Sequence, residues 1–169
     1  MSEISWDYNT DIQVEGVLDT GIIVIAHHKN PIQKEMLDFL EEIISGKRRI
    51  LIPLTAFVGA YHILTSYLKV SRYDAKSALT ETLKLESPFY YPLVDKNTVI
   101  RAFDFSSIHN IESWDGYLII LAKNLQTSNI YTIDNKLRKI KEISVINPVS
   151  DEKLAEYHQW LKEKIGKEN

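Results

Sequence analysis

The chain has 169 residues, 44% of them hydrophobic and 25% charged, which fits one globular domain and excludes a disordered or fibrous chain. It has no cysteine, so a disulfide, a thiolate nucleophile and a cysteine-ligated zinc site are excluded. The formal charge of −3 argues against a protein that coats nucleic acid by bulk electrostatics, and leaves a local basic patch open.

The N-terminal segment has neither the basic start nor the apolar stretch of a signal peptide. The most apolar runs are shorter than the roughly 20 residues that a membrane-spanning helix needs. We therefore expect a cytoplasmic protein with no membrane partner. We interpret residues 1–15 as an N-terminal extension and residues 16–169 as a single domain.

Predicted strands and helices alternate along the first half of the chain. A run rich in Val and Ile predicts a buried strand that ends near Asp19 and turns into a helix. Pro31 suits the first turn of the next helix, and Gly46 ends that helix. Apolar patterning predicts four further elements, which are a strand at 49–53, helices at 54–68 and 71–85, and a strand at 89–94. Pro92 weakens the last strand or places it at a sheet edge.

The second half continues the alternation. Ser113 is a candidate cap for a helix from Trp114 to Leu125 that is apolar on every face and therefore buried. The other predicted elements are helices at 96–108, 135–140 and 151–164 and strands at 129–133 and 143–146. Such alternation predicts an α/β fold, a three-layer α/β/α sandwich with a mostly parallel sheet. Ligands bind such sheets at the carboxyl ends of the strands, where the strand order reverses.

Three aspartates are predicted to meet at that edge. Asp19 and Asp134 each follow a predicted strand, and Asp115 lies in the first turn of the buried helix. Crowded carboxylates repel one another unless a cation offsets the repulsion, so the cluster predicts a metal site. Oxygen ligands favour Mg2+ or Mn2+, and such an ion can support phosphodiester hydrolysis.

Two other interpretations of these aspartates remain open at this point. Each of them alone would serve as a helix cap or as a first-turn residue that complements the helix dipole. A strand-end aspartate such as Asp19 is also the nucleophile of some phosphatases and phosphotransfer domains. Those phosphatases usually carry a second aspartate two residues later, where this chain has Gly21.

The segments VLDTGIIVIA, SWDGYLIILAKNL and IYTIDNKL, in this order and spacing, resemble the three acidic motifs of PIN-domain ribonucleases, including VapC-type toxins. The resemblance extends over residues 16–148. It implies a PIN-like fold and a metal-dependent endoribonuclease that uses Mg2+ or Mn2+. It also implies an RNA substrate, a homodimer and, in a toxin, an inhibitory antitoxin protein as partner.

The resemblance also implies roles for individual residues. Asp19, Asp115 and Asp134 would be catalytic metal ligands. The hydroxyl groups of Thr20 and Thr132 would orient these ligands or contact phosphate.

One position departs from the family pattern, because Gly59 stands where a helix glutamate is usual. Glycine inside a helix is also unfavourable by about 1 kcal/mol relative to alanine. His62 and Glu112 are possible substitutes, although His62 can equally be an ordinary surface or core histidine. The alternative function is therefore a weakened PIN-like domain that binds RNA or a protein.

Basic and aromatic side chains near the acidic motifs could contact RNA. Lys136, Arg138 and Lys139 follow Asp134 and could attract an RNA backbone, or could simply form a solvated helix face. Trp114 is the one tryptophan next to the proposed site, with base stacking as its possible role and packing as the default. The adjacent His27 and His28 are interpreted as loop residues, because no third histidine stands at zinc-ligand spacing.

Overall fold

The computed structural model describes residues 13–166. Residues 1–12 of the predicted extension therefore lie outside the described residues. The last residues of that segment contact the sheet. Val14 packs against the core, and the Glu15 N–H donates to the carbonyl of Arg49 over 2.8 Å.

Five parallel strands form the central sheet, where the sequence predicted a mostly parallel one. The strands are β1 (Gly16–Leu18), β2 (Ile50–Pro53), β3 (Tyr90–Tyr91), β4 (Asn129–Tyr131) and β5 (Ser144–Ile146). Their order is β3-β2-β1-β4-β5, so the strand order reverses at β1, between β2 and β4. β3 is an edge strand of only two residues, shorter than the predicted 89–94, because Pro92 has no N–H to donate.

Seven α-helices flank the sheet in the described part of the chain. They are α1 (Thr20–Ala26), α2 (Gln33–Ile44), α3 (Leu54–His62), α4 (Arg72–Leu83), α5 (Lys96–His109), α6 (Ser113–Asn124) and α7 (Asp151–Gly166). A π-helical turn, Ile63–Tyr67, follows α3, and a 3-10 helix, Asn135–Lys139, follows β4. The predicted helix at 54–68 is therefore an α-helix that ends in a π-helical turn. None of the helices within residues 13–166 is long and apolar enough to cross a membrane.

Alternate residues of each inner strand supply two cores, one on each face of the sheet. Leu18 of β1 packs with α1, α2, α3 and α4, whereas the preceding Val17 packs with α5 and α6. Both side chains are fully buried, which stabilises the fold by about 1.5–3 kcal/mol for each residue of this size. The three-layer α/β/α sandwich is therefore confirmed.

The starts of the helices agree with the sequence in one case and differ in others. α4 begins close to the predicted residue 71, where Ser71 caps it, since its hydroxyl accepts from the Asp74 N–H over 3.0 Å. The predicted cap Ser113 is wrong by one residue, because α6 begins at Ser113 and Glu112 precedes it without a capping side-chain bond. Pro31 lies in the turn before α2, which begins at Gln33.

Candidate active site at the sheet edge

The topology brings two of the three aspartates to neighbouring strands. Asp19 directly follows β1, and Asp134 lies three residues after the end of β4. β1 and β4 pair in parallel, so both carboxylates lie at the same edge, where the strand order reverses. Asp115 reaches this edge from the first turn of α6.

Thr132 is fully buried and joins two of these aspartates. Its hydroxyl donates to Asp19 Oδ2 over 2.7 Å and accepts from the backbone N–H of Asp134 over 3.0 Å. Asp134 Oδ1 in turn accepts from the Lys136 N–H over 2.9 Å, which starts the 3-10 helix. One hydroxyl therefore fixes both the side chain of Asp19 and the backbone of Asp134.

Replacing Thr132 by valine keeps the shape of the side chain and removes both hydrogen bonds. We expect Thr132→Val to lower the free energy of unfolding by about 2 kcal/mol, because a buried carboxylate loses its donor. Urea unfolding measures the change. The control is Thr65→Val, whose exposed hydroxyl bonds only within its own helical turn and should cost less than about 0.5 kcal/mol. Equal losses in the two variants would contradict this role for Thr132.

The charges of the three aspartates act on one another. Burial is the main reason that the pKa of Asp19 is raised, and the charge of Asp134 adds to the increase. The Thr132 hydroxyl and the N–H groups of Thr20 and Gly21 oppose that increase in pKa. These three donors therefore stabilise the ionised carboxylate of Asp19, but they do not cancel the effect of burial on its pKa.

Asp115 shows the same effect. Burial, followed by the charges of Asp19, Asp134 and Glu112, raises the pKa of Asp115 to about 7, while Lys136 lowers it. The three predicted carboxylates therefore lie within electrostatic range of one another. Repulsion of this kind is what a bound cation would relieve.

An open cleft of about 350 Å³ lies in front of these carboxylates. Its walls carry both signs of charge and come from the end of α5, the start of α6 and the 3-10 helix. The lining residues are Asn110, Ile111, Glu112, Asp115, Asp134, Lys136, Leu137 and Lys139. Asp19 lies behind them and is only 9% exposed, so a small ion can reach it more readily than a large ligand can.

The donor atoms suit a hard divalent ion, but the side chains do not form a finished cage. Within residues 13–166, no group of three or more His, Cys, Asp or Glu side chains is placed to hold a metal ion as it stands. The oxygen-only donor set matches the preference of Mg2+ and Mn2+. Binding would require the carboxylates of Asp19, Asp115 and Asp134 to rearrange around the ion.

A family model described as the PIN domain matches residues 16–143. The chain belongs to the PIN-domain family. The match spans β1 to the residue before β5 and includes all three aspartates. No curated protein sequence matches the chain.

Two solved structures share the PIN fold with this chain. One is a toxin–antitoxin complex from Klebsiella pneumoniae, with a TM-score of 0.52 and 14% sequence identity, covering 80% of this chain and 98% of that one. The other is FitAcB from Neisseria gonorrhoeae, with a TM-score of 0.55 and 18% identity, covering 78% of this chain and 96% of that one. At these identities the likeness establishes the fold alone.

The structure distinguishes between Glu112 and His62, the two residues that could substitute for the missing glutamate. Glu112 lines the cleft, and its charge raises the pKa of Asp115. His62 lies at the exposed end of α3, where Nδ1 is 3.3 Å from the Ser66 hydroxyl and the ring meets Tyr67 edge-on. Its contacts are therefore with the π-helical turn rather than with the aspartates.

Only some of the predicted RNA-contacting residues line the cleft. Lys136 and Lys139 line the cleft, whereas the guanidinium of Arg138 donates through Nε to Asn135 Oδ1 over 2.9 Å. His27 and His28 lie in the turn after α1, as predicted, and both are buried with Nδ1 against carbonyl oxygens of α1. They take no part in the site.

The sequence interpretation did not foresee a contact between Thr20 and Trp114. The indole Nε1–H of Trp114 donates to Thr20 Oγ1 over 2.8 Å. The Thr20 hydroxyl was expected to orient a metal ligand or contact phosphate, and here it accepts from α6. Only the position of tryptophan next to Asp115 could have pointed to this contact.

Proposed function

We propose that this PIN domain is a metal-dependent endoribonuclease in which Asp19, Asp115 and Asp134 hold Mg2+ or Mn2+. The observation that carries the proposal is that Asp115 and Asp134 line one cleft with Asp19 close by, where burial, followed by the charges of Asp19 and Asp134, raises the pKa of Asp115 to about 7. Bound at this site, a divalent ion supplies water activation and charge neutralisation for phosphodiester hydrolysis.

The chain's own residues would bind and orient the substrate. Lys136 and Lys139 line the same cleft as Asp115, so their ammonium groups can attract the phosphates of single-stranded RNA. The exposed Arg138 extends the positive charge beside them. Thr132 would hold Asp19 in place during the reaction, because its hydroxyl already donates to that carboxylate.

We further propose that the chain acts in the cytoplasm as the toxin of a toxin–antitoxin pair and forms a homodimer. Support for the partner comes from one of the two solved structures that share the fold, which is a toxin–antitoxin complex. An antitoxin would have to restrict access to the cleft in order to inhibit cleavage. The dimer can be tested by sedimentation of the purified chain.

Two observations favour an alternative, in which the domain binds RNA or a protein without efficient cleavage. Gly59 supplies no carboxylate, and the described acidic side chains are not placed to hold an ion as they stand. A binding module would retain RNA in the cleft through Lys136 and Lys139. The two functions therefore differ in whether RNA is cut.

Cleavage of a labelled single-stranded RNA separates the two functions. We expect the protein to cut this RNA with Mn2+, to lose activity in EDTA, and to lose at least about 100-fold in rate in Asp19→Asn, because a ligand is removed. The control is Asp104→Asn, an exposed carboxylate on α5, which should cut at the wild-type rate. RNA retained without Mn2+-dependent cutting would support the binding module instead.

A further inference from the structure

The indole of Trp114 lies against the bare backbone of Gly59. A Cβ atom placed on Gly59 would be 3.2 Å from Thr20 Cγ2 and 3.3 Å from Trp114 Cζ2. Carbon atoms pack most favourably at about 3.5–4.0 Å, so even an alanine would press on both neighbours. A side chain at the position where the family usually has a glutamate would therefore require Thr20 and Trp114 to shift by a few tenths of an ångström.

The same indole links the two segments that carry Asp19 and Asp115. Trp114 directly precedes Asp115 in α6, and Thr20 directly follows Asp19 at the start of α1. The hydrogen bond between the indole N–H and the Thr20 hydroxyl is 2.8 Å long. Thr20 is buried, and its own N–H stabilises the ionised carboxylate of Asp19. A shift of the indole would therefore move both aspartates relative to each other.

We propose that Trp114 is a positioning residue that sets the separation of Asp19 and Asp115, and that its indole, together with the Thr20 methyl group, disfavours any side chain larger than that of glycine at position 59. The inference rests on the proposed metal site, since it concerns the distance between two of its ligands. It predicts that a carboxylate at position 59 cannot add to the site while the indole is present. The missing glutamate is thus a consequence of packing.

The positioning role is tested by Mn2+ affinity, measured by calorimetry. Trp114→Phe keeps a ring and removes the N–H, and Thr20→Val removes the acceptor. Both should bind Mn2+ about tenfold more weakly, as the loss of a residue that orients a ligand typically does. Thr20→Ser keeps the hydroxyl and should recover most of that loss, and Tyr73→Phe, on the exposed face of α4, is the unaffected control. Wild-type affinity in Trp114→Phe would overturn the inference.

The packing claim is tested without metal, by urea unfolding in EDTA. In the wild-type background Gly59→Ala gains helix propensity but presses on the indole and on the Thr20 methyl group, whereas in a Trp114→Ala background the contact with the indole is removed and the contact with Thr20 is unchanged. We therefore expect Gly59→Ala to raise the unfolding midpoint more in the second background. Equal shifts in the two backgrounds would overturn the inference, even if the wild type bound no Mn2+ and the proposed function had failed.

The most direct test introduces a carboxylate at position 59 and measures stability and Mn2+ binding. Gly59→Glu alone should lower the unfolding midpoint and weaken Mn2+ binding. In combination with Trp114→Ala, the same substitution should bind Mn2+ more tightly than Trp114→Ala alone. Tighter binding by Gly59→Glu alone, at an unchanged unfolding midpoint, would show that the indole does not occupy the glutamate position and would overturn the proposal.

Discussion

Asp115→Asn is expected to have opposite effects on cleavage and on stability. Cleavage of RNA with Mn2+ should fall at least about 100-fold, because an amide is a poorer ligand than a carboxylate for a hard cation. In EDTA at pH 8 the same variant should be more stable than the wild type by about 2 kcal/mol, because one member of a repelling cluster is neutral. A loss of cleavage together with a gain in stability would indicate that the cluster binds a cation, whereas a gain in stability alone would indicate only repulsion between its carboxylates.

The size of the stability gain follows from the pKa of Asp115. Burial and the charges of Asp19, Asp134 and Glu112 raise this pKa from its ordinary 3.8 to about 7. A shift of this size corresponds to about 4 kcal/mol between the two protonation states. Asp115 is only half-buried, and solvent screening of its charge reduces the expected gain to about 2 kcal/mol.

The pH dependence has a definite sign. The carboxyl of Asp115 keeps its proton to a higher pH in the folded chain than in the unfolded chain, so its contribution to stability is full below about pH 4 and is lost as the pH rises to about 7. Urea unfolding of the metal-free protein should therefore show a fall in stability over this interval that is smaller in Asp115→Asn. The control is Asp104→Asn, which should follow the wild-type curve. Parallel curves for all three proteins would contradict the raised pKa.

The sequence predicted the placement of the aspartates because the relevant constraints are local. A strand followed directly by an aspartate, as at Asp19, places that residue at the carboxyl end of the strand, and parallel strands have these ends at one edge. Asp115 could be placed because the helix that contains it is apolar on all sides and must lie against the sheet. None of these steps requires knowledge of distant contacts.

Contacts between distant segments explain what the sequence did not predict. The bond between Trp114 and Thr20 joins residues 94 positions apart, and no pattern along the chain encodes it. For the same reason the sequence indicated only that Gly59 lacks the usual glutamate, and not that side chains of α1 and α6 lie next to it. Arg138 and Lys139 are neighbours in sequence, yet only Lys139 lines the cleft, because a short 3-10 helix directs adjacent side chains to different sides.

Gly116 is a residue at which a single methyl group should strongly disturb the fold. A Cβ at this position would overlap the Ser106 hydroxyl and lie 2.7 Å from the carbonyl oxygen of Ala102. The hydroxyl can rotate away, but the carbonyl belongs to the backbone of α5 and cannot. We therefore expect Gly116→Ala to lower the free energy of unfolding by about 3 kcal/mol, because overpacking exceeds the roughly 1 kcal/mol that alanine gains in a helix.

Urea unfolding with two companion variants identifies the cause of that loss. Ser106→Ala in combination with Gly116→Ala should recover only part of the stability, since the Ala102 carbonyl still blocks the methyl group. Gly166→Ala, at a helical position with no atom within 4 Å of the added carbon, should be close to neutral. Full recovery by Ser106→Ala would show that the hydroxyl alone determines how closely α5 and α6 pack. Partial recovery would place the constraint in the helix backbone, and Asp115 would then be held in the site by the close approach of two main chains one residue away.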